Sequence, residues 1–468
     1  MTTLARLQAE LGSIVSVHPA ELTAMRADKS GWVAAGMPLA VVHAQTVEHV
    51  QAVLRIASAG GVPVVTRGAG TGLAGGACGT DGSIVLSVAG MNRILEIRAE
   101  DELAVVEPGV INQDLNDALA AHGLWFAPDP ASKAISSIGG NIATNAGGLL
   151  CVKYGVTREA VLALTVVLAD GSLLKTGHRT VKGVTGYDLT ALLTGSEGTL
   201  GVIVEATVRV RAVTPGAVVT IGAVFPDVRT AAAASAAVTA ARVRPAVMEL
   251  IDPVALALIV DYLGPTGAAG LSLGSGAFLL LQTDGPAALA EAEHAAVVLR
   301  AAGGEVRQST DVVSGERLLA IRRAAHPAFA AHGDVLIEDV SVPRSRMAEM
   351  FEKIAEISAR AGVPIPTVAH AGDGNLHPNF IIPGDPLRLP GDPLVPEHIW
   401  AAADELFRAA IDLGGTLTGE HGVGVLKRRW LGEELGATSL GLQRQIKAVF
   451  DPQGILNPGT MFEAVPSA

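Results

Sequence analysis

Three shortages narrow what this chain can be. Cysteine occurs only as Cys78 and Cys151 in 468 residues. Two thiols in so long a chain make no disulfide framework, and a reducing cytoplasm is the compartment they suit. Positive charge is the second shortage: 34 Lys and Arg stand against 46 Asp and Glu, a net charge of −12. A phosphate-backbone partner needs a basic surface, so nucleic acid is excluded as a partner, though a local basic pocket is not. Long apolar runs are the third. The most apolar stretch, Ala231 to Ala241, is mostly alanine broken by Ser235 and Thr239. It falls short of the roughly 20 strongly apolar residues that span a bilayer. Met1 to Val17 carries Arg6, Gln8 and Glu10, so no secretory leader is expected. Docking to a membrane surface stays open.

What the chain does have is a large core and much glycine. Hydrophobic residues make up 49%, aromatics only 3%, and there are 54 glycines. From Leu39 a buried strand, a helix capped by Thr46 and stopped by Gly60-Gly61, and a second strand at 62–66 make a βαβ unit with a parallel pair. Strands are expected at 83–88, 94–97, 104–107, 163–168 and 201–210, a helix at 112–122, and a Gly/Asn-rich loop at 136–148. After residue 218 strands at 219–225, 246–250, 277–282 and 335–342 alternate with helices at 231–242, 287–302, 315–331, 344–361 and 397–413. That order predicts a sheet with helices on one face.

The first βαβ unit ends on Arg67-Gly-Ala-Gly-Thr-Gly-Leu-Ala-Gly-Gly76. Residues 70–75 match the dinucleotide fingerprint G-x-G-x-x-G, which needs a helix directly after it to hold the pyrophosphate. Ala77-Cys-Gly-Thr-Asp-Gly82 is turn sequence instead, which disfavours a Rossmann NAD site. The loop is then a plain tight turn or a cradle of N–H groups around a diphosphate. Its sequence resembles the FAD diphosphate loop of the p-cresol methylhydroxylase/vanillyl-alcohol oxidase superfamily. Pro128–Ser132, Ile138–Gly148, Lys153-Tyr-Gly155, Gly195–Ile203 and Phe450–Gly459 are similar to the rest of that family's flavin site and closing motif, in the expected order. The resemblance implies an α+β fold: a two-subdomain FAD-binding domain plus an α+β C-terminal cap with an antiparallel sheet. Its segments are an N-terminal helical segment over 1–36, the FAD domain over 37–214, the cap with the metal site over 215–425, and a return to the FAD domain over 426–468. It further implies FAD contacts from Arg67, Gly68, Ala69, Gly70, Thr71, Gly72, Pro128, Ser132, Gly139, Gly140, Asn141, Thr144, Asn145, Gly147, Gly198, Ile203 and Asn457. No histidine stands in the first loop, so FAD is expected to be non-covalent.

A second constellation lies at Thr367-Val-Ala-His-Ala-Gly-Asp-Gly-Asn-Leu-His-Pro-Asn379. Asp-Gly between apolar runs signals a two-residue hairpin turn. With Asp373-Gly374 at the tip, His370 faces His377, and Asn379 shares their side of the sheet. Two opposed imidazoles are either a polar cross-strand pair or a chelating pair for one divalent metal. Glu420 and His421 sit in a Gly-rich turn, where an adjacent Glu and His are often only solvated. Here the two patterns resemble the D-2-hydroxy-acid dehydrogenase branch of the superfamily, which includes D-lactate dehydrogenase, the FAD subunit of glycolate oxidase and D-2-hydroxyglutarate dehydrogenase. That resemblance implies His370, His377 and Glu420 as metal ligands, with zinc favoured over manganese or iron, and His421 as general base. Asn379 is a further catalytic candidate. A 2-hydroxy acid must lose a hydroxyl proton and a hydride from one carbon. A metal lowers the hydroxyl pKa, imidazole suits the base, and flavin N5 takes the hydride. Arg322 resembles the family's carboxylate anchor, with Arg323 as the alternative.

Family members acting on 2-hydroxyglutarate also use a threonine four residues after that arginine and a lysine on the next strand. His326 and Ile337 fall there, which favours D-lactate, glycolate or a related D-2-hydroxy acid. The expected activity is a cytoplasmic FAD-linked dehydrogenase handing electrons to a quinone, electron-transfer flavoprotein or other carrier, and compatible with a homodimer. An oxidase, a redox-neutral flavin transferase and a non-catalytic FAD subunit of a larger complex are the alternatives.

Overall fold

The computed structural model describes residues 1–267, 276–382 and 395–463. Residues 268–275 and 383–394 of the expected cap, and 464–468 of the C-terminal segment, lie outside the described residues. The chain divides into two compact units. The first comprises residues 1–148, 155–213 and the chain from Glu420 onward; the second comprises residues 149–154 and 214–419.

The first unit begins with a sheet in the order Val15–Ser16, Ala40–His43, Ile84–Ser87, Val64–Arg67. The helix Val47–Gly60 starts where the Thr46 hydroxyl accepts from the His49 N–H and ends on Gly61 in the left-handed conformation. Its apolar face, Val50, Val53, Leu54 and Ala57, is buried in one core with Val42, Val64 and Ile84. The expected strands are parallel but not neighbours. Ile84–Ser87 lies between them and is parallel to both, because the turn after the Gly-rich loop returns the chain to the middle of the sheet.

A second sheet runs Ile94–Arg98, Leu103–Val106, Val202–Arg209, Val161–Val167, Leu173–Gly177, with every pair antiparallel. Leu115 and Leu119 pack against it with Ile138, Ile142 and Ile203. The segment expected as a Gly/Asn-rich loop holds a short helix, Ile138–Thr144. Ser137 caps its start and Asn145, left-handed at φ +50°, ends it.

The second unit is built on one antiparallel sheet. Its order is Glu305–Ser309, Ala217–Phe225, Ala277–Gly285, Val247–Ile251, Thr367–His370, Asn375–Ile382, Asp334–Ile337, with Val340–Ser341 also paired to Asn375–Ile382. The expectation of helices on one face fails. Phe278 and Leu280 are buried with side chains of the helices Pro253–Gly267 and Val312–Arg323. The alternate residues Leu279 and Leu281 are also wholly buried. Successive strand residues point to opposite faces, so both faces are covered. The strand expected over 335–342 breaks at Glu338-Asp339, both buried. The Asp339 side chain is engaged elsewhere, as described below.

Candidate functional site

In the first unit, loops from distant parts of the chain converge on residues 67–76. The Arg67 guanidinium lies beneath its own loop and donates to the carbonyls of Ala27 (2.9 Å) and Ala77 (2.8 Å). A Cβ on Gly70, at φ +70°, would meet that guanidinium at 2.3 Å, so glycine is required for the loop to close over it. Gly68 lies against the Ser137 hydroxyl. Among the described residues, none of the N–H groups of residues 68–76 donates to a protein acceptor. Asn457 joins two loops by donating to the carbonyls of Gly76 (2.8 Å) and Glu197 (2.7 Å).

Glu197 is the knot of this arrangement. Its N–H donates to Ala143 (2.8 Å), and its carboxylate accepts from the N–H groups of Val423 (2.7 Å) and Gly424 (2.8 Å). Burial pushes its pKa up to about 7 against the lowering effect of those two donors and Lys427. The turn 420–424 is thereby fixed beside the flavin-type loops. Gly147 is packed so tightly against Glu420 that a Cβ there would meet the carboxylate at 2.4 Å. Glu420 Oε1 lies 3.8 Å from His421 Nε2.

In the second unit the hairpin at 367–382 differs from its expected register. His370 pairs with Asn375 and Val368 with His377, so the connection has four residues, 371–374. The His370 carbonyl accepts from the Gly374 N–H at 3.0 Å. Gly374 adopts φ +93°, with the Val342 carbonyl 2.1 Å from where a Cβ would sit. The Asp373 carboxylate caps the Asn375 N–H. His370 and His377 are therefore diagonal neighbours on one face, where long side chains still reach each other. Their ring centroids are 5.0 Å apart, edge to face.

A buried carboxylate lies near each histidine, and it is within hydrogen-bond reach of His370 only. Glu249, wholly buried on the neighbouring strand, meets His370 Nδ1 at 2.7 Å and accepts from Arg322 Nε at 2.7 Å. Asp339 Oδ1 lies 3.9 Å from His377 Nδ1. Asp339 also accepts from Asn375 (2.6 Å), the Thr418 hydroxyl (2.6 Å) and the Gly419 N–H (2.9 Å). It thus anchors the residues that directly precede Glu420. Asn379 donates to the His377 carbonyl at 2.7 Å. The two arginines separate: Arg322 is bound to Glu249, whereas Arg323 pairs with Glu316 on the exposed side of the helix.

Two family models match the chain. The FAD binding domain covers residues 38–177, and the C-terminal domain of FAD linked oxidases covers 214–461. The glycolate oxidase subunit GlcD of Bacillus subtilis is 40% identical over 91% of this chain and 89% of its own. The D-lactate dehydrogenase of Archaeoglobus fulgidus is 36% identical over 96% of this chain and 98% of its own. The chain belongs to the FAD-linked oxidases. In fold it matches p-cresol methylhydroxylase with a TM-score of 0.81, at 19% identity, over 100% of this chain and 97% of that one.

A FAD-linked oxidase needs polar groups for its cofactor, and the first unit offers them. Thr66 Oγ1, Ser136 Oγ and Asn141 Nδ2 are buried without a hydrogen-bond partner among the described residues. Such orphaned groups are costly unless a ligand satisfies them, and the N–H groups of 68–76 add anion-seeking donors. These residues fit FAD. Of the other sequence-chosen residues, Gly139 packs on Pro108, Gly198 lies near Asn457 and Thr66, and Ile203 belongs to the core. The Asn145 side chain accepts from the Arg158 N–H. Lys153 and Tyr154 both bind Asp284 in the second unit. The sequence reading missed Glu197, Glu249 and Asp339. Their common signal was a carboxylate inside a run otherwise apolar or glycine-rich, where burial demands a partner.

Proposed function

We propose that this FAD-linked oxidase oxidises a small D-2-hydroxy acid, D-lactate or glycolate, to the 2-oxo acid with the help of a divalent metal, zinc best fitting the ligands. The observation that supports this reading is the pair of buried histidines on one sheet face with Glu249, His370 meeting the buried Glu249 carboxylate at 2.7 Å and His377 lying 3.9 Å from the buried Asp339 carboxylate. Metal-ligating histidines commonly present their second ring nitrogen to a carboxylate, as His370 does to Glu249. His370 and His377 would hold the metal, with Glu420 as third ligand. The loops around 68–76, 136–147, 195–198 and Asn457 would hold FAD non-covalently.

Bound FAD supplies the hydride acceptor, and a divalent cation supplies Lewis acidity toward the substrate hydroxyl. The chain's own residues do the rest. Arg322, steadied through Nε by Glu249, binds the substrate carboxylate with its remaining guanidinium donors. His421 takes the hydroxyl proton on its imidazole, at the end of a turn held by Glu197. Asn379 orients the substrate beside His377. Ile337 pairs directly with Asn379 across the sheet. An apolar side chain at that position gives a second substrate carboxylate no cation, which argues against 2-hydroxyglutarate. The electrons leave to a separate carrier.

Anaerobic stopped-flow reduction of the bound flavin tests the roles. His421→Ala should slow bleaching by about 10²- to 10⁴-fold while retaining FAD, and chelator treatment should slow it until zinc is restored. An unchanged rate in His421→Ala removes the base assignment. An unchanged rate after chelation removes the metal.

A further inference from the structure

We infer that Glu249 is a positioning residue that serves the metal and the substrate carboxylate at once, coupling the binding of the two. This rests on the metal reading above. Glu249 is the single charged residue of the strand Val247-Met-Glu-Leu-Ile251, and it is wholly buried. In register it stands directly opposite His370 on one neighbouring strand and Leu280 on the other. A carboxylate so placed is tolerated only when its charge and lone pairs are met. Here both oxygens are engaged, and by different functional groups. Oε1 faces His370 Nδ1 and Oε2 faces Arg322 Nε, each at 2.7 Å.

Two consequences follow from donor and acceptor chemistry. A carboxylate accepts only from a protonated Nδ1, so His370 is held in the tautomer whose Nε2 is unprotonated. The Nε bond holds the Arg322 guanidinium in one plane and leaves its terminal nitrogens to grip a carboxylate in bidentate fashion. Loss of the Glu249 charge therefore releases the ligand and the anchor together.

The experiment uses the purified flavoprotein with FAD bound. Zinc affinity is measured by competition with a chromophoric chelator. Pyruvate affinity is measured from the perturbation of the flavin spectrum at saturating zinc. In Glu249→Gln, zinc affinity should fall about 10- to 100-fold and pyruvate affinity should fall about tenfold or more, at unchanged FAD content. Arg322→Met should weaken pyruvate alone, and His370→Ala should abolish zinc binding. A Glu249→Gln protein that keeps wild-type affinity for either ligand overturns the coupling. If the single variant does not fold, the double variant Glu249→Gln/Arg322→Met leaves no uncompensated buried charge. Its zinc affinity must then fall well below that of Arg322→Met, and equality of the two overturns the proposal. Wild-type zinc affinity in His370→Ala would instead refute the metal reading itself, which separates the two failures.

Discussion

Single residues in this protein carry constraints that their neighbours cannot share. Gly424, at φ +55°, lies so close to the Ala74 carbonyl that a Cβ would sit 1.9 Å from the oxygen. This contact presses the turn bearing His421 against the loop 68–76, and Val425 donates to the same carbonyl at 2.9 Å. Gly424→Ala must both strain the backbone and push the two loops apart. It should destabilise the protein by about 1–3 kcal/mol or more and weaken FAD retention, read as a lower thermal midpoint and a lower flavin-to-protein absorbance ratio. Asp252 makes a different kind of prediction. Its carboxylate accepts from Ala255 (2.6 Å) and Thr367 (3.1 Å), and burial pushes its pKa from 3.8 up to about 7. The folded state therefore keeps a proton that the unfolded chain loses near pH 3.8. The associated stability is full below that pH and is lost as pH rises toward 7. Asp252→Asn cannot titrate. Its stability relative to wild type should improve as pH rises from 4 to 8, by at most about 4 kcal/mol, as followed by urea unfolding.

At the scale of elements, what was legible in the sequence was what local chemistry dictates. Thr46 and Gly61 bound a helix as their side-chain and backbone preferences require. The missing helix after residue 76 was readable too, since Ala77–Gly82 leads into the strand Ile84–Ser87. The expected pairing of His370 with His377 failed by two positions. An Asp-Gly pair favours a two-residue turn, but here the Gly374 N–H bonds back to His370 and the glycine tucks under Val342, a residue far away in sequence. Helices on both faces of the second unit's sheet were likewise hidden, because an alternating pattern does not state what covers the second face. The break at Glu338-Asp339 and the carboxylate of Glu249 belong to the same class. Each looks like an interruption of a strand until its partners, Thr418 and Gly419 for one and His370 and Arg322 for the other, are brought to it by the fold.

At the scale of the whole molecule, the FAD-binding unit is completed only by the last part of the chain. Residues 420–424 and Asn457 supply Glu197 and Gly76 with partners that the first 213 residues lack. We propose that this closure and the loop N–H groups hold the cofactor, since the first loop has no histidine to bond it. Denaturation followed by ultrafiltration should therefore release the FAD into the filtrate, and flavin remaining on the polypeptide would show a covalent link. No helix among the described residues is long and apolar enough to cross a membrane.

On the proposed chemistry, the bound flavin is reduced by D-lactate or glycolate. The direct measurement is anaerobic absorbance of the zinc-loaded protein mixed in turn with D-lactate, L-lactate, glycolate and D-2-hydroxyglutarate. D-lactate or glycolate should bleach the flavin rapidly, and L-lactate and D-2-hydroxyglutarate should bleach it slowly or not at all. A flavin that stays oxidised with all four acids, or that bleaches fastest with D-2-hydroxyglutarate, would contradict that chemistry.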